Sequence, residues 1–266
     1  MITYPEISSV ALDLGFAQIH WYGLMYLLAF VSAWALGNYR AKQKKSGWTK
    51  DDVSDVIFYG ALGVILGGRI GYIIFYNFSV FLENPVIILR IWEGGMSFHG
   101  GMLGVFAGLY LFGRKTGRTF FQVSDYIAVM VPLGLGFGRI GNFINKELWG
   151  RPAESVLPWT MDYGDHIARH PSSLYQALTE GLLLFIVLFV FSRKPRPTMA
   201  VSGVFMMGYG AVRFITEFFR MPDAHLGFVM FDWMSKGQQL SIPMIIFGIV
   251  IFIMAYKNNS PEKNKK

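Results

Sequence analysis

Seven stretches of this chain are apolar over close to the length that a lipid bilayer demands, and together they take up nearly half of its 266 residues. A membrane-crossing helix needs about 20 mainly apolar residues, because every backbone amide must find a partner within the segment once water is gone. The stretches run roughly over residues 19–37, 56–75, 98–112, 121–138, 174–191, 201–219 and 240–256. The third is short. A further apolar piece, 82–91, is too short to span and is interrupted by Pro85, so it is expected to be re-entrant or interfacial. Only 15% of residues are charged, where a soluble domain has about a quarter. The expectation is an all-α polytopic membrane protein of about seven transmembrane helices, forming one domain over residues 1–266, since no soluble domain fits between the stretches.

The basic residues orient the stretches. Alternate connections hold Arg40, Lys42, Lys44, Lys45 and Lys50, then Arg114, Lys115 and Arg118, then Arg193, Lys194 and Arg196, and the tail adds Lys257, Lys263, Lys265 and Lys266. The opposite connections hold only Arg90, Lys146, Arg151, Arg169, Arg220 and Lys236. Short loops rich in Lys and Arg stay cytoplasmic, so the N-terminus is expected to face outward and the C-terminus the cytoplasm. The net charge of +7 could suggest nucleic acid, but the distribution of the basic residues argues against that partner. No basic residue precedes Arg40, so no cleavable signal peptide is expected. There is no cysteine, and a thiol can enter any chemistry here only on a substrate.

Three basic residues belong to no connection: Arg69, Arg139 and Arg213. A charge at the centre of a membrane helix costs at least ~2.5–3.5 kcal/mol, so each such arginine is either functional or structurally paired. For Arg69 both options stand. Arg139 and Arg213 have polar neighbours. Arg139, Asn142 and Glu147 fall at the outer end of the fourth stretch; Tyr209, Arg213 and Glu217 form one stripe on the sixth, with Arg220 just beyond. Residues four apart share a helix face, which places Glu217 to hold Arg213. His99 begins the third stretch, and His20 and Tyr22 begin the first, at the same expected depth. The arginine fork suits a phosphate, including one that departs as a leaving group. The imidazole of His99 suits general-base work. No acidic cluster has metal-ligand spacing, so neither metal nor cofactor is expected. Gly63, Gly67 and Gly71, Gly104 and Gly108, and Gly134 and Gly138 have the spacing of close helix crossings. Asp125 and Glu180 are expected to be hydrogen bonders in the packing, and the connection holding His166 and His170 a solvated face over a substrate entrance. A transporter or channel for an anionic lipid or solute would use similar residues but open to both faces.

The motifs carry a resemblance. Residues 94–101 (GGMSFHGG) resemble the histidine motif of bacterial prolipoprotein diacylglyceryl transferases, and 138–145 (GRIGNFIN) with 147–151 (ELWGR) resemble that family's signature block. Residues 20–26, 208–220 and 240–244 match as well, so the likeness runs nearly end to end; Ser173 and Gln176 depart from the Gln and Glu expected there. The resemblance implies an inner-membrane enzyme that moves the diacylglyceryl group of phosphatidylglycerol onto the lipobox cysteine beside a prolipoprotein signal peptide. It implies that Arg139, Asn142, Tyr22, Glu217, Arg220 and Gly150 bind the phospholipid. His99, Arg213, Tyr209 and Glu147 would carry the transfer, with His99 the preferred base and Tyr209 or Glu147 its aides.

Overall fold

The apolar stretches fold as helices because a chain without water nearby must satisfy its amides locally. In the computed structural model, residues 1–16, 18–43, 46–153, 157–222 and 226–258 are described. Lys44, Lys45, Lys263, Lys265 and Lys266, counted above as loop and tail cations, lie outside the described residues. The long helices are α1 (Trp21–Ala41), α2 (Lys50–Tyr76), α4 (Phe98–Thr116), α9 (Ala200–Thr216) and α10 (Lys236–Asn258), with the short α3 (Phe78–Glu83) between α2 and α4. By length and composition α2, α10 and the continuous run Ser172–Ser192 are long and apolar enough to cross a membrane. At most 28% of each apolar window is buried inside the protein, so most of these side chains face outward, as lipid-facing side chains do. The chain is an integral membrane protein.

The structure adds detail to two of the stretches and corrects the all-helical expectation. The stretch 121–138 is two helices, α5 (Phe120–Ile127) and α6 (Val131–Ile144), bent by 51° at a short break. Pro132 explains the restart: it sits in the first turn of α6, where its missing N–H costs nothing. The stretch 174–191 is α7 (Ser172–Gln176) and α8 (Leu184–Ser192) joined by a π-helical segment, Ala177–Leu183. The chain is also not purely helical. Its connections pair as short strands, β1 (Ile2–Thr3) with β4 (Met161–Asp162) in parallel, β2 (Val10–Asp13) with β3 (Gln18–His20) and β5 (Phe228–Met230) with β6 (Met234–Ser235) antiparallel. Pairing satisfies amides that no helix covers. The piece 82–91 forms only the end of α3 and 3-10 turns at Pro85–Leu89 and Ile91–Glu93.

The chain divides into two compact units, Trp34–Ser124 and Met1–Ala33 with Asp125–Lys266. In the first, α2 opens with a reciprocal cap in which the Asp52 amide donates to Thr49 Oγ1 at 3.0 Å and the Thr49 amide to Asp52 Oδ2 at 2.9 Å. Its glycines then press on α4: a methyl group on Gly71 would lie 2.8 Å from Gly100 Cα, and one on Gly67 2.7 Å from Gly104 Cα. The glycines of both helices therefore sit in a close crossing, as their spacing suggests: Gly63 and Gly67 against Gly104, Gly71 against Gly100, and Gly108 against the Tyr59 carbonyl.

In the other unit the Gly134–Gly138 pair makes no such crossing. A methyl group on Gly134 would make ordinary contact with Ala29, and one on Gly138 would meet nothing within 4 Å. The close approach is one register away, where a methyl group on Gly181 of the π segment would lie 2.7 Å from Gly136 Cα. Asp125 acts as the hydrogen bonder expected of it, capping α9 through the amides of Met199 (2.7 Å) and Ser202 (2.8 Å).

Candidate active site

The glycine crossing of α6 on the π segment decides what Arg139 can reach. Glu180 lies in the middle of that segment, completely buried, and Arg139 follows Gly136 on α6 by about one turn. Arg139 Nε and Nη2 both approach Glu180 Oε2 at 2.9 Å. Arg213 on α9 approaches the other oxygen, Oε1, at 3.4 Å. One carboxylate thus bridges two arginines from two helices. Glu180, expected to be an ordinary packing hydrogen bonder, is instead the centre of the ion network. Its two arginines come from distant segments, and no local spacing in the sequence marks that.

A second carboxylate extends the network. Arg213 Nη2 lies 2.7 Å from Glu217 Oε1, as the four-residue spacing predicts, and Arg220 Nη1 lies 3.1 Å from the same oxygen. Ser235 Oγ donates to Glu217 Oε2 at 2.6 Å. Glu217 is also fully buried and its carboxyl carbon would be 2.6 Å from a methyl group on Gly237, so it is locked in place. Among the described residues, three guanidinium groups share two carboxylates in this network. Arg139 and Arg213 keep 16% of their side-chain surface open, whereas both carboxylates keep none.

Of the other residues singled out above, Tyr209 and Gly150 touch this network directly, while Tyr22, Asn142 and Glu147 connect to α6, the helix that carries Arg139. Tyr209 interacts with Arg139, Glu180 and Arg213 and stacks on Phe205 at 5.9 Å. Tyr22 packs on α6, where a methyl group on Gly141 would lie 3.0 Å from its ring. Asn142, buried, donates from Nδ2 to Glu147 Oε2 at 2.8 Å. Glu147 stands past the end of α6 and is exposed. Gly150 pairs its backbone with Arg220, and a side chain there would collide with the carbonyl of His170. Arg151 ties the two segments together, donating to the carbonyls of Arg220 (2.9 Å) and Glu217 (3.1 Å).

The connection after Trp149 is not the solvated face expected of it. His170 packs edge-on against Phe219 at 5.1 Å and approaches the Tyr175 hydroxyl at 3.3 Å. Burial holds its pKa below the usual histidine value. Tyr163 stacks on Trp149 at 5.5 Å, and burial pushes its pKa to about 12. The Gly164 amide, then the other groups around it, hold Asp162 below the usual carboxylate range. His166, by contrast, stands in the open, with 93% of its side chain exposed. Of the two departures from the family motif, Ser173 donates to the Glu147 carbonyl at 3.3 Å, and Gln176 is wholly buried with no hydrogen-bond partner among the described residues.

His99 belongs to the other unit. It is exposed in the first turn of α4, edge-on to Phe98 at 5.6 Å, just past Ser97, whose hydroxyl accepts from the Gly100 amide at 3.2 Å. His20 ends β3 and is exposed.

Residues 9–254 match the family model described as prolipoprotein diacylglyceryl transferase. The chain belongs to that family. It is 56% identical to the phosphatidylglycerol–prolipoprotein diacylglyceryl transferase of Acinetobacter baumannii, covering 99% of this chain and 100% of that relative. The Acinetobacter baylyi protein of the same name is 56% identical over 97% of this chain and 95% of its own length. That of Pseudomonas paraeruginosa is 50% identical over 98% of each. The ion network and the residues around it therefore lie inside the matched region of a prolipoprotein diacylglyceryl transferase.

Proposed function

We propose that this chain transfers the diacylglyceryl group of phosphatidylglycerol to the lipobox cysteine of a prolipoprotein, the first step of bacterial lipoprotein maturation. The observation that carries the proposal is the buried network of Arg139, Glu180, Arg213, Glu217 and Arg220, in which Arg139 and Arg213 keep 16% of their side-chain surface open. The phosphodiester of phosphatidylglycerol carries one negative charge. Arginines already oriented by carboxylates receive it without reorganising, and that preorganisation is the main source of electrostatic catalysis.

The reaction exchanges one bond for another. The cysteine thiolate attacks the glycerol carbon that bears the phosphate, a C–S bond forms, and the C–O bond breaks. Glycerol phosphate leaves with the electron pair, and the thiol proton goes to a base. Arg139 grips the phosphate while Asn142, Tyr22, Gly150, Glu217 and Arg220 shape its surroundings. Arg213 stabilises the charge that builds on the leaving group, and a thiol near such cations ionises more readily. His99 is the preferred base, with Tyr209 and Glu147 as aides. No residue here is asked to hold a metal or cofactor.

The same proposal covers placement. Seven helices span the bacterial inner membrane as one catalytic domain, with the N-terminus and the active site on the periplasmic side and the C-terminus in the cytoplasm. A cysteine just beyond an inserted signal peptide reaches a site on that side. The test is direct: purified chain is incubated with phosphatidylglycerol and a lipobox peptide in the presence of chelator. The expected result is a mass gain of one diacylglyceryl group on the cysteine. Arg139→Ala is expected to lower the rate by about 10²–10³-fold, the usual scale for losing one oriented donor. Unchanged transfer by that variant would remove the phosphate clamp.

A further inference from the structure

Arg69 lies on α2 and is 95% shielded, yet among the described residues it meets no carboxylate; every hydrogen bond it makes goes to a backbone carbonyl. Nε donates to Ile88 O at 3.2 Å, and Nη2 donates to Ile87 O. Nη1 donates to Gly94 O at 2.5 Å and Gly95 O at 3.2 Å. Four carbonyls on the fork leave little of it for an outside anion, which separates Arg69 from the phosphate-binding arginines.

The four carbonyls belong to one stretch of chain, the last connection before His99. Gly94 and Gly95 both have positive φ, 81° and 77°, so the chain reverses there in a conformation that side chains resist. Gly95 also lies against Tyr72, whose ring a side chain at that position would overlap. Two residues later the Ser97 amide donates to Gly68 O at 2.9 Å, and Ser97 caps α4. Gly68 and Arg69 are neighbours on α2. One pair of residues therefore holds the chain immediately before His99 at two points, by a side chain and by a carbonyl.

We propose that Arg69 is the positioning residue for His99: its guanidinium pins the carbonyls of Ile87, Ile88, Gly94 and Gly95 to α2, and this sets where the first turn of α4 and its imidazole stand. The catalytic half of the proposal rests on His99 acting in the transfer. A merely structural arginine would hold the fold together without favouring this histidine. Lysine at this position keeps the charge but cannot span four carbonyls.

The experiment uses the full chain in nanodiscs, with Arg69→Lys and Arg69→Met made alone and together with His99→Gln. Hydrogen exchange at amides 97–101 reports the position of the segment without reference to activity. Steady-state kinetics with phosphatidylglycerol and a lipobox peptide report its consequence. Exchange is expected to quicken about tenfold or more in both Arg69 variants, and kcat to fall by about tenfold to 10²-fold with KM for phosphatidylglycerol nearly unchanged, the scale of a small misplacement of a reacting group. In the His99→Gln background the Arg69 changes should lower kcat no further, because two residues acting through one step are not additive. Unchanged exchange at 97–101, or the same loss of kcat with and without His99, overturns the proposal. Full activity of His99→Gln alone would remove the base role of His99, while quickened exchange in Arg69→Lys would still establish what Arg69 holds. Should Arg69→Met fail to fold, Gly95→Ala leaves the guanidinium intact, displaces the same segment against Tyr72, and carries the same expected signature.

Discussion

Arg69 and the pair Arg139–Arg213 are the same residue in the same kind of apolar sequence, but they are neutralised in different ways. Arg69 is wrapped by backbone carbonyls of one connection. Arg139 and Arg213 share the side chain of Glu180, and Arg213 and Arg220 share Glu217. Carbonyl dipoles satisfy a guanidinium but carry no charge and cannot be exchanged for a ligand without moving the chain. A shared carboxylate divides one charge between two guanidinium groups, and a phosphate can meet the open side of Arg139 or Arg213. The difference teaches that an intramembrane arginine becomes a binding group when its neutralising partner is shared, and a structural one when its partners are its own backbone.

The largest way to break this comparison is to remove the shared carboxylate. Glu180→Ala strands Arg139 and Arg213 together, and losing one partner of a buried ion pair costs about 3–5 kcal/mol. The variant is expected to melt well below the parent and to lose most transfer. If the shared-partner account is right, micelles containing phosphatidylglycerol should restore part of the lost stability where phosphatidylcholine does not, because the phosphate takes the place of the carboxylate. Thermal unfolding in the two lipids checks this, and equal melting temperatures in both would sink the account.

A smaller effect is expected where packing and not charge positions the arginine. In the unit holding Arg69, α2 and α4 touch backbone to backbone, and a methyl group on Gly104 would lie 2.8 Å from the Gly63 carbonyl carbon. Gly104→Ala should cost about 1–3 kcal/mol, the usual price of overpacking, and it should do so equally in either lipid. A phosphatidylglycerol-dependent recovery in this variant would erase the contrast between the two regions.

How much of this was legible in the sequence follows from what is local. The four-residue spacing of Arg213 and Glu217 announces their pairing, and the glycines of α2 and α4 mark each as a close-packing helix without naming its partner. Glu180 gave no such sign, because its partners lie 41 and 33 residues away and its reach depends on a π-helical segment that hydropathy does not reveal. The break between α5 and α6 was hidden for a similar reason: apolar composition continues through it, and only Pro132 hints at a restart. The strand pairings and the packed surroundings of His170 depend on contacts between connections, which charge and polarity alone misread as solvated.

The smallest expected effect uses acidity to separate the two regions. The carbonyls around Arg69 have no proton to gain, so exchange at amides 97–101, corrected for its intrinsic pH dependence, should hold steady between pH 7 and 5. Beside the ion network, His170 is partly buried against Phe219 and Tyr175, and burial lowers its pKa. An opened connection binds the proton at the ordinary value near 6.5, the closed one only at lower pH. Over that interval the open form holds more protons, so the stability of the closed form is greatest above about pH 6.5 and falls as the pH drops toward the lowered value, below which it changes no further. Amides in residues 157–171 should therefore exchange faster at pH 5.5 than at pH 7.5 after the same correction, and His170→Phe, which keeps an aromatic ring against Phe219, should flatten the response. A response of equal size in both regions would mean that acid loosens the whole protein and that His170 has no part in it.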